Sequence, residues 1–331
     1  MATKAVFNAT PRVSAFIACY KAGEDPDALV GSFSAIGYAN KELILAIGGG
    51  LNIADYAHLA GPGVILLEHP GGRKNNAYRR ALEHATGEVL YLSDADCRFE
   101  SDNFLRLIAP IANGEEQATV GPSRPPDGYK APLFVDLLLA FRLIGPPVLT
   151  HNTRMFSGRN SAVARKALEA AGGFDLDALG EDYFLGARLQ QAGYRVANVP
   201  GTMNVSSDPV TAGAYIRQQV RWARSELVDA PRLGRYKDAL HGLRFALIGA
   251  GMLAITLSLP FTGRTGLLIF LPLITYAYTA RLVRMVVATR TREERVRPLH
   301  LLAPFLFAYL EFFIWTRALV EALIPPLRRR W

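Results

Sequence analysis

The stretch "EVLYLSDADCRF", residues 88–99, runs from an apolar segment directly into two aspartates, Asp94 and Asp96. The run of β-formers reads as a buried strand, and the acids stand at its carboxyl end. In open α/β sheets, ligands bind beyond that end of the strands. Carboxylates are hard oxygen ligands, and Mg²⁺ or Mn²⁺ is commonly held by one or two of them together with substrate phosphates. The pair therefore suits a metal and a diphosphate. A solvated turn, or a cap before Ser101, accounts for the two residues equally well.

The flanking sequence places that strand in a sheet. "RVSAFIACY" (Arg12–Tyr20), "ELILAI" (Glu42–Ile47) and "GVILLE" (Gly63–Glu68) are further β-rich runs. Helical stretches fall between them, from about Asp25 to Ile36, near Asn52–Leu59, and over "KNNAYRRALEHA" before Gly87. Alternation of this kind indicates an α/β fold, a mostly parallel sheet with helices on both faces. "SAVARKALEAAGG" (Ser161–Gly173), with a Ser N-cap and a Gly stop, reads as another helix, and "EDYFLGARLQQAG" (Glu181–Gly193) repeats the design.

Beyond about Leu240 the pattern changes. "FALIGAGMLAITLSLPF" (Phe245–Phe261) and "GLLIFLPLITYAYTARLVRMVV" (Gly266–Val287) are separated by "TGRT", and each approaches the roughly 20 apolar residues of a bilayer crossing. They read as a transmembrane hairpin, with buried core helices as the alternative. The block "LLAPFLFAYLEFFIWTRALVEALI" (Leu301–Ile324) carries Glu311, Arg317 and Glu321, and intramembrane charges are costly unless partnered. With the basic loop "RTREERVR" (Arg290–Arg297) on the cytoplasmic side, a third span would export the terminal "RRRW", so the last helix is expected to be interfacial or re-entrant. The apolar segment Ala131–Leu149 is too short and broken to span and is expected to rest on the membrane surface or cover the sheet.

The net charge is +8, and much of the excess flanks the apolar blocks. This suits anionic lipid headgroups rather than nucleic acid, since basic tracts interleaved with stacking aromatics are absent. Cys19 and Cys97 come without a secretory signal and read as free thiols in a reducing compartment. The six histidines lack metal-ligand spacing.

Two later stretches carry chemistry. In "GEDYF", Glu181 and Asp182 open a helix whose dipole keeps a carboxylate ionised, so a general base there needs burial to regain basicity. Acids in a first helical turn are also common decoration. In "IRQQVRWAR" (Ile216–Arg224), Gln218, Arg221 and Trp222 stand at i, i+3 and i+4, on one helical face. Arg217 and Arg224 extend a basic stripe suited to a diphosphate or to lipid headgroups.

In order, "DAD", "ED" and "QQVRW" resemble the membrane-bound branch of the family 2 inverting glycosyltransferases. That branch includes ceramide glucosyltransferases, bacterial glycolipid glycosyltransferases, and cellulose and hyaluronan synthases. The resemblance covers about Arg12–Arg224 and includes "GRKNNAYRRALEHATGEVLYLSDAD" and "GRNSAVARKALEAAGGFD". It implies a GT-A nucleotide-sugar-binding domain over 1–240 and a membrane domain of two to three helices over 241–331. By the same resemblance Asp94 contacts the nucleotide sugar and Asp96, with Asp94, binds Mg²⁺ or Mn²⁺. Asp182 is the general base, beside Glu181. Tyr20 and Lys74 contact the nucleotide, and Gln218, Arg221 and Trp222 close over the donor. The chain departs from the family at "ELILAIGGGLN", where Gly48, Gly49 and Gly50 replace an Asp-rich loop. These glycines do not form a dinucleotide fingerprint, because Ile53 occupies the third position.

The resemblance implies inverting transfer of a hexose from a UDP-sugar, UDP-glucose or UDP-galactose, to a membrane lipid. The product is a β-linked glycolipid made at the cytoplasmic side of the inner membrane. Two apolar spans are too few to line a polymer channel, which leaves a processive polysaccharide synthase as an oligomeric alternative. A non-catalytic membrane protein that binds nucleotide sugar is a third reading.

Overall fold

Alternation along the first strand, β1 (Val13–Cys19), explains the layering. Val13, Ala15, Ile17 and Cys19 enter one core cluster and Phe16 another, the period-2 pattern of a pleat buried on both sides. The computed structural model describes residues 6–69, 71, 73–121, 123–124, 137, 156–199, 202, 204–206, 209–292 and 296–328. The Ala131–Leu149 segment, apart from Leu137, and the tail 329–331 lie outside the described residues.

β1 pairs in parallel with β2 (Lys41–Ile47) and β4 (Val89–Leu92), and β2 with β3 (Val64–Glu68). Beyond β4 come β8 (Ser161–Ala164), β6 (Ala118–Val120) and β9 (Val196–Asn198), giving the order β3-β2-β1-β4-β8-β6-β9 among the described residues. β8 runs antiparallel to both neighbours, and β6 and β9 are parallel. A small second sheet joins β5 (Cys97–Arg98), β10 (Asn204–Ser206) and β7 (Ser123–Arg124). Helices α1 (Pro26–Ser34) and α3 (Ser101–Ala112) set Leu29, Phe33, Phe104 and Leu107 into the cluster on one face. Helices α2 (Lys74–His84), α4 (Arg165–Ala170) and α5 (Glu181–Gln191) set Tyr78, Leu168, Leu185 and Leu189 into the other. The expected sheet with two covered faces is present.

One expected helix is half strand. "SAVA" pairs between β4 and β6 as β8, and the helix begins at Arg165 without a side-chain cap. Ser161 is fully buried, and its hydroxyl donates to the Ser157 carbonyl at 2.5 Å instead of accepting from the N–H groups of a helix N-terminus. The Ser-to-Gly pattern is compatible with either reading; burial between two strands selects β.

The chain divides into two compact units, Met1–Tyr129 with Thr150–Asp208, and Lys130–Leu149 with Pro209–Trp331. The sheet belongs to the first unit. The second holds α6 (Ala212–Arg232), α7 (Tyr236–Arg292) and α8 (Ala303–Leu323). α7 is two arms, broken by the non-helical Gly263 (φ 53°, ψ −128°). Thr256 on one arm meets Tyr309 of α8, while Arg281 on the other pairs with Glu311, two residues along α8. In a straight helix the roughly 25 intervening residues would hold those contacts about 37 Å apart. The arms therefore fold back at Gly263, the hairpin expected at "TGRT". Both α7 and α8 are long and apolar enough to cross a membrane. Leu257, Phe261, Leu268, Ile269 and Leu271 of the arms are exposed, with Phe261 90 % open. An apolar surface of that extent marks contact with lipid or a partner rather than water, and these helices associate the chain with a membrane.

α8 is continuous over 21 residues. Its buried positions Phe307, Ala308, Glu311, Ile314 and Ala318 follow helical spacing. Arg224 was expected on a basic stripe that meets a diphosphate or lipid headgroups. Instead it is buried and ties α6 to Glu321 of α8 at 2.9 Å and to the Leu327 carbonyl beyond α8 at 3.0 Å.

Arg281 and Glu311 are both buried. Removing one partner leaves an uncompensated charge, at a cost of about 3–5 kcal/mol, whereas apolar replacement of both is often neutral. Arg281→Met should therefore lower the thermal midpoint in detergent markedly, and adding Glu311→Leu should restore most of it. If the double variant melted no higher than the single, the pair would not be holding these helices together.

Candidate active site

β4 ends where its polar anchors begin. Ser93, buried at the strand end, donates its hydroxyl to the Arg159 carbonyl at 3.0 Å. The Cys97 N–H returns to the Asp94 carbonyl at 3.0 Å. That tight turn leaves Asp94 half-buried and Asp96 exposed at the carboxyl end of the sheet. Asp96 is raised from the ordinary aspartate range, the surrounding protein pushing it up, Arg159 pulling it back and Asp94 adding to the rise.

Lys74, the first residue of α2, connects the acids. It is 8 % exposed. Its ammonium donates to Asp94 and to the Gly158 carbonyl (3.3 Å), stands 3.5 Å from Glu181 Oε1, and lies 4.8 Å from the Tyr78 ring centre. Burial works against the charge, but Asp94, Tyr78 and Glu181 outweigh it and hold the proton well above the usual lysine range. Arg159 approaches Asp94 from the other side, Nε to Oδ2 at 3.7 Å.

α5 brings the second pair of acids. Gly180 caps the helix, so Glu181 and Asp182 fall in its first turn. Asp182 accepts the Tyr183 N–H at 2.7 Å. Its carboxyl is pushed up to about 6, first by burial and then by Glu181, against the opposing Tyr183 N–H and Lys74 charge. Burial thus offsets the helix-terminus effect and gives an acid that takes and gives protons near neutrality.

The loop before β8 closes the cluster. Asn160 sits in a buried network with Tyr91 and Asn103, at 2.9 Å and 3.1 Å to its Oδ1, and this fixes Gly158 and Arg159. A Cβ on Gly158 would stand 3.1 Å from Lys74 Nζ and 3.3 Å from Glu181 Oε1. Gly158→Ala should therefore lower kcat about tenfold by displacing both groups, with little change in melting temperature, because sub-ångström misplacement of reacting groups is costly. An unchanged kcat would show that Lys74 and Glu181 yield freely.

Tyr20 follows β1 directly, half-buried, its ring 5.6 Å from that of His69. The three glycines serve close backbone approach. Gly50 N–H donates to the Tyr20 carbonyl at 2.9 Å, and a Cβ on Gly49 (φ +64°) would strike that same carbonyl. His69 is buried, its Nδ1 accepting the Gly71 N–H at 3.0 Å.

The structure therefore brings Lys74, Asp94, Asp96, Glu181 and Asp182 together in the first unit. Gln218, Arg221 and Trp222 stand on α6 in the second. Gln218 and Arg221 are half-buried and Trp222 is 45 % exposed. Sequence reasoning treats "GRN" as connection and misses Gly158 and Arg159.

Among the described residues no group of three or more His, Cys, Asp and Glu is arranged as a metal cage. Asp94 and Asp96 nonetheless fit a cation that relies on one or two carboxylates and takes its remaining ligands from substrate phosphates and water.

The family described as "Glycosyltransferase like family 2" matches residues 11–225, and "Glycosyl transferase family group 2" matches residues 139–319. The chain is similar to the Probable glycosyltransferase YdaM of Bacillus subtilis, 29 % identical over 160 residues, 46 % of this chain and 38 % of that one. It is 38 % identical over 98 residues to an N-acetylglucosaminyltransferase of Rhizobium leguminosarum, covering 25 % of this chain and 23 % of the relative. A cellulose synthase catalytic subunit (UDP-forming) of Komagataeibacter sucrofermentans is 30 % identical over 124 residues, covering 33 % and 16 %. The chain thus spans less than two fifths of the length of these relatives. Among solved structures, the mannosyltransferase PcManGT from Pyrobaculum calidifontis, in complex with GDP-Man and Mn²⁺, matches with a TM-score of 0.59 at 18 % identity, over 97 % of this chain and 91 % of that one. A likeness at this identity is one of fold, and that fold is of the GT-A type.

Proposed function

This chain belongs to the family 2 glycosyltransferases, and from that membership we propose that it transfers a hexose from a UDP-sugar to a membrane lipid, inverting the anomeric centre. The observation that carries the reading is the cluster at the end of β4, where Lys74 lies between Asp94 and Glu181 and Asp182 is tuned to about 6. In this reading Asp182 takes the proton from the acceptor hydroxyl, and the freed oxygen attacks the anomeric carbon opposite the departing nucleoside diphosphate. A single displacement turns an α-linked donor into a β-glycoside and needs no enzyme nucleophile. Lys74 orders the acids, and Tyr20 stacks beside the nucleotide. By the family resemblance Gln218, Arg221 and Trp222 are donor-binding residues of a catalytic domain over residues 1–240. Asp96, with Asp94, would hold Mg²⁺ or Mn²⁺, whose charge when bound neutralises the leaving diphosphate.

A lipid acceptor is supported by the exposed apolar surface of the α7 arms, with the catalytic domain on the cytoplasmic side of the inner membrane. The UDP-forming name of the cellulose synthase relative supports a uridine donor, and the GDP-Man of the solved neighbour makes GDP-mannose the comparison to include.

The test is purified protein in native lipid with Mn²⁺ and radiolabelled UDP-glucose, UDP-galactose, UDP-N-acetylglucosamine or GDP-mannose. Organic-extractable label, lost with EDTA and restored by Mn²⁺, is the expected result. Label in a water-soluble polymer would replace the glycolipid reading with a processive one. Donor binding without transfer would leave a non-catalytic binding protein.

A further inference from the structure

Arg159 belongs neither to the aspartate pair nor to the α5 acids, yet the fold invests heavily in its position. Its carbonyl accepts the Ser93 hydroxyl, its N–H donates to Ser157 Oγ at 3.3 Å, and the next residue is locked in the buried Tyr91–Asn103–Asn160 network. The side chain keeps 19 % exposure at the ligand end of the sheet. Among the described residues at this end of the sheet, the carboxylates Asp94, Asp96, Glu181 and Asp182 outnumber the cations Lys74 and Arg159, so a cationic donor already in place favours an incoming diphosphate. Lys74 is engaged between Asp94, Glu181 and the Gly158 carbonyl. Arg159 lies on the opposite side of Asp94, its Nε 3.7 Å from Oδ2, and its charge also acts on Asp96.

We propose that Arg159 is a diphosphate-binding residue of the donor site, its guanidinium meeting the phosphate oxygens of the nucleotide. A planar fork of N–H donors matches phosphate oxygens bidentately, which a lysine cannot do. The inference rests on the nucleotide-sugar reading above and adds a residue that sets how strongly the diphosphate, rather than the nucleoside, is held.

The test is calorimetric titration of the full chain in lipid bicelles with Mn²⁺, using UDP against UMP and GDP against GMP, for wild type, Arg159→Ser and Arg159→Lys. The expected result is a diphosphate affinity about 10–100-fold weaker in Arg159→Ser, with monophosphate affinity unchanged within about twofold and Arg159→Lys between. An equal loss for both nucleotides would make Arg159 merely a support for Asp94 and overturn the proposal, as would no loss. Should Arg159→Ser fail to fold, the ratio in Arg159→Lys reads the same question. Wild type that transfers sugar but shows an unchanged ratio in the variants sinks the inference alone. Wild type without turnover, in which the diphosphate is still selectively weakened by Arg159→Ser, sinks the transfer reading and leaves the inference.

Discussion

Asp182→Asn should abolish measurable sugar transfer, a loss of about 10²–10⁴-fold in kcat, while donor binding changes by no more than a few-fold. The amide keeps the shape and the acceptor oxygen that takes the Tyr183 N–H at 2.7 Å, so local folding is preserved. What disappears is the capacity to accept a proton. The wild-type pH profile provides the companion test. The carboxyl titrates at about 6 because burial and Glu181 raise it, and the base is active only when ionised. kcat should therefore climb with pH through about 6 and level above 7, a limb that belongs to the Glu181–Asp182 pair. An ordinary aspartate would place that limb near pH 4. Residual activity of the amide variant above a tenth of wild type would remove Asp182 from the base role.

Much of this site was legible because its residues occupy places that the fold makes special. Asp94 and Asp96 follow an apolar run, and such a run, buried on both faces, delivers what comes next to the carboxyl end of the sheet. Glu181 and Asp182 follow a glycine and open a helix, so their location was readable too. The proton affinity of Asp182 was not readable. It depends on burial and on Lys74, which lies over 100 residues earlier in the chain. The strand β8 was misread because "SAVARKALEAAGG" satisfies helical start and stop signals, and only insertion between β4 and β6 decides for β. Arg224 was misjudged for a related reason: an arginine on one helix reads as a contact for a diphosphate or lipid headgroups until Glu321 and the Leu327 carbonyl, about a hundred residues away, are found beside it.

The second large effect is expected at Lys74. Lys74→Met retains the length of the side chain and the room beside Tyr78 but removes the positive charge between Asp94 and Glu181. Stability should fall toward the lower end of the about 3–5 kcal/mol typical of a broken buried pair, because Asp94 and Glu181 keep 32 % and 20 % side-chain exposure. Catalysis should fall further, by at least about a hundredfold, since donor phosphates would meet carboxylates no longer balanced by the ammonium. The sign of the pH effect is also set. Lys74 lowers the Asp182 carboxyl, so its loss must move the acid limb of any residual activity above about 6, toward alkaline pH. Lys74→Arg should not rescue, because the wider guanidinium would have to enter the space already bounded by the Gly158 carbonyl at 3.3 Å and the Tyr78 ring. A Lys74→Met enzyme with lowered kcat but an unmoved limb would mean that Lys74 serves the donor without tuning the base. A limb that moved to lower pH would contradict the electrostatic arrangement altogether.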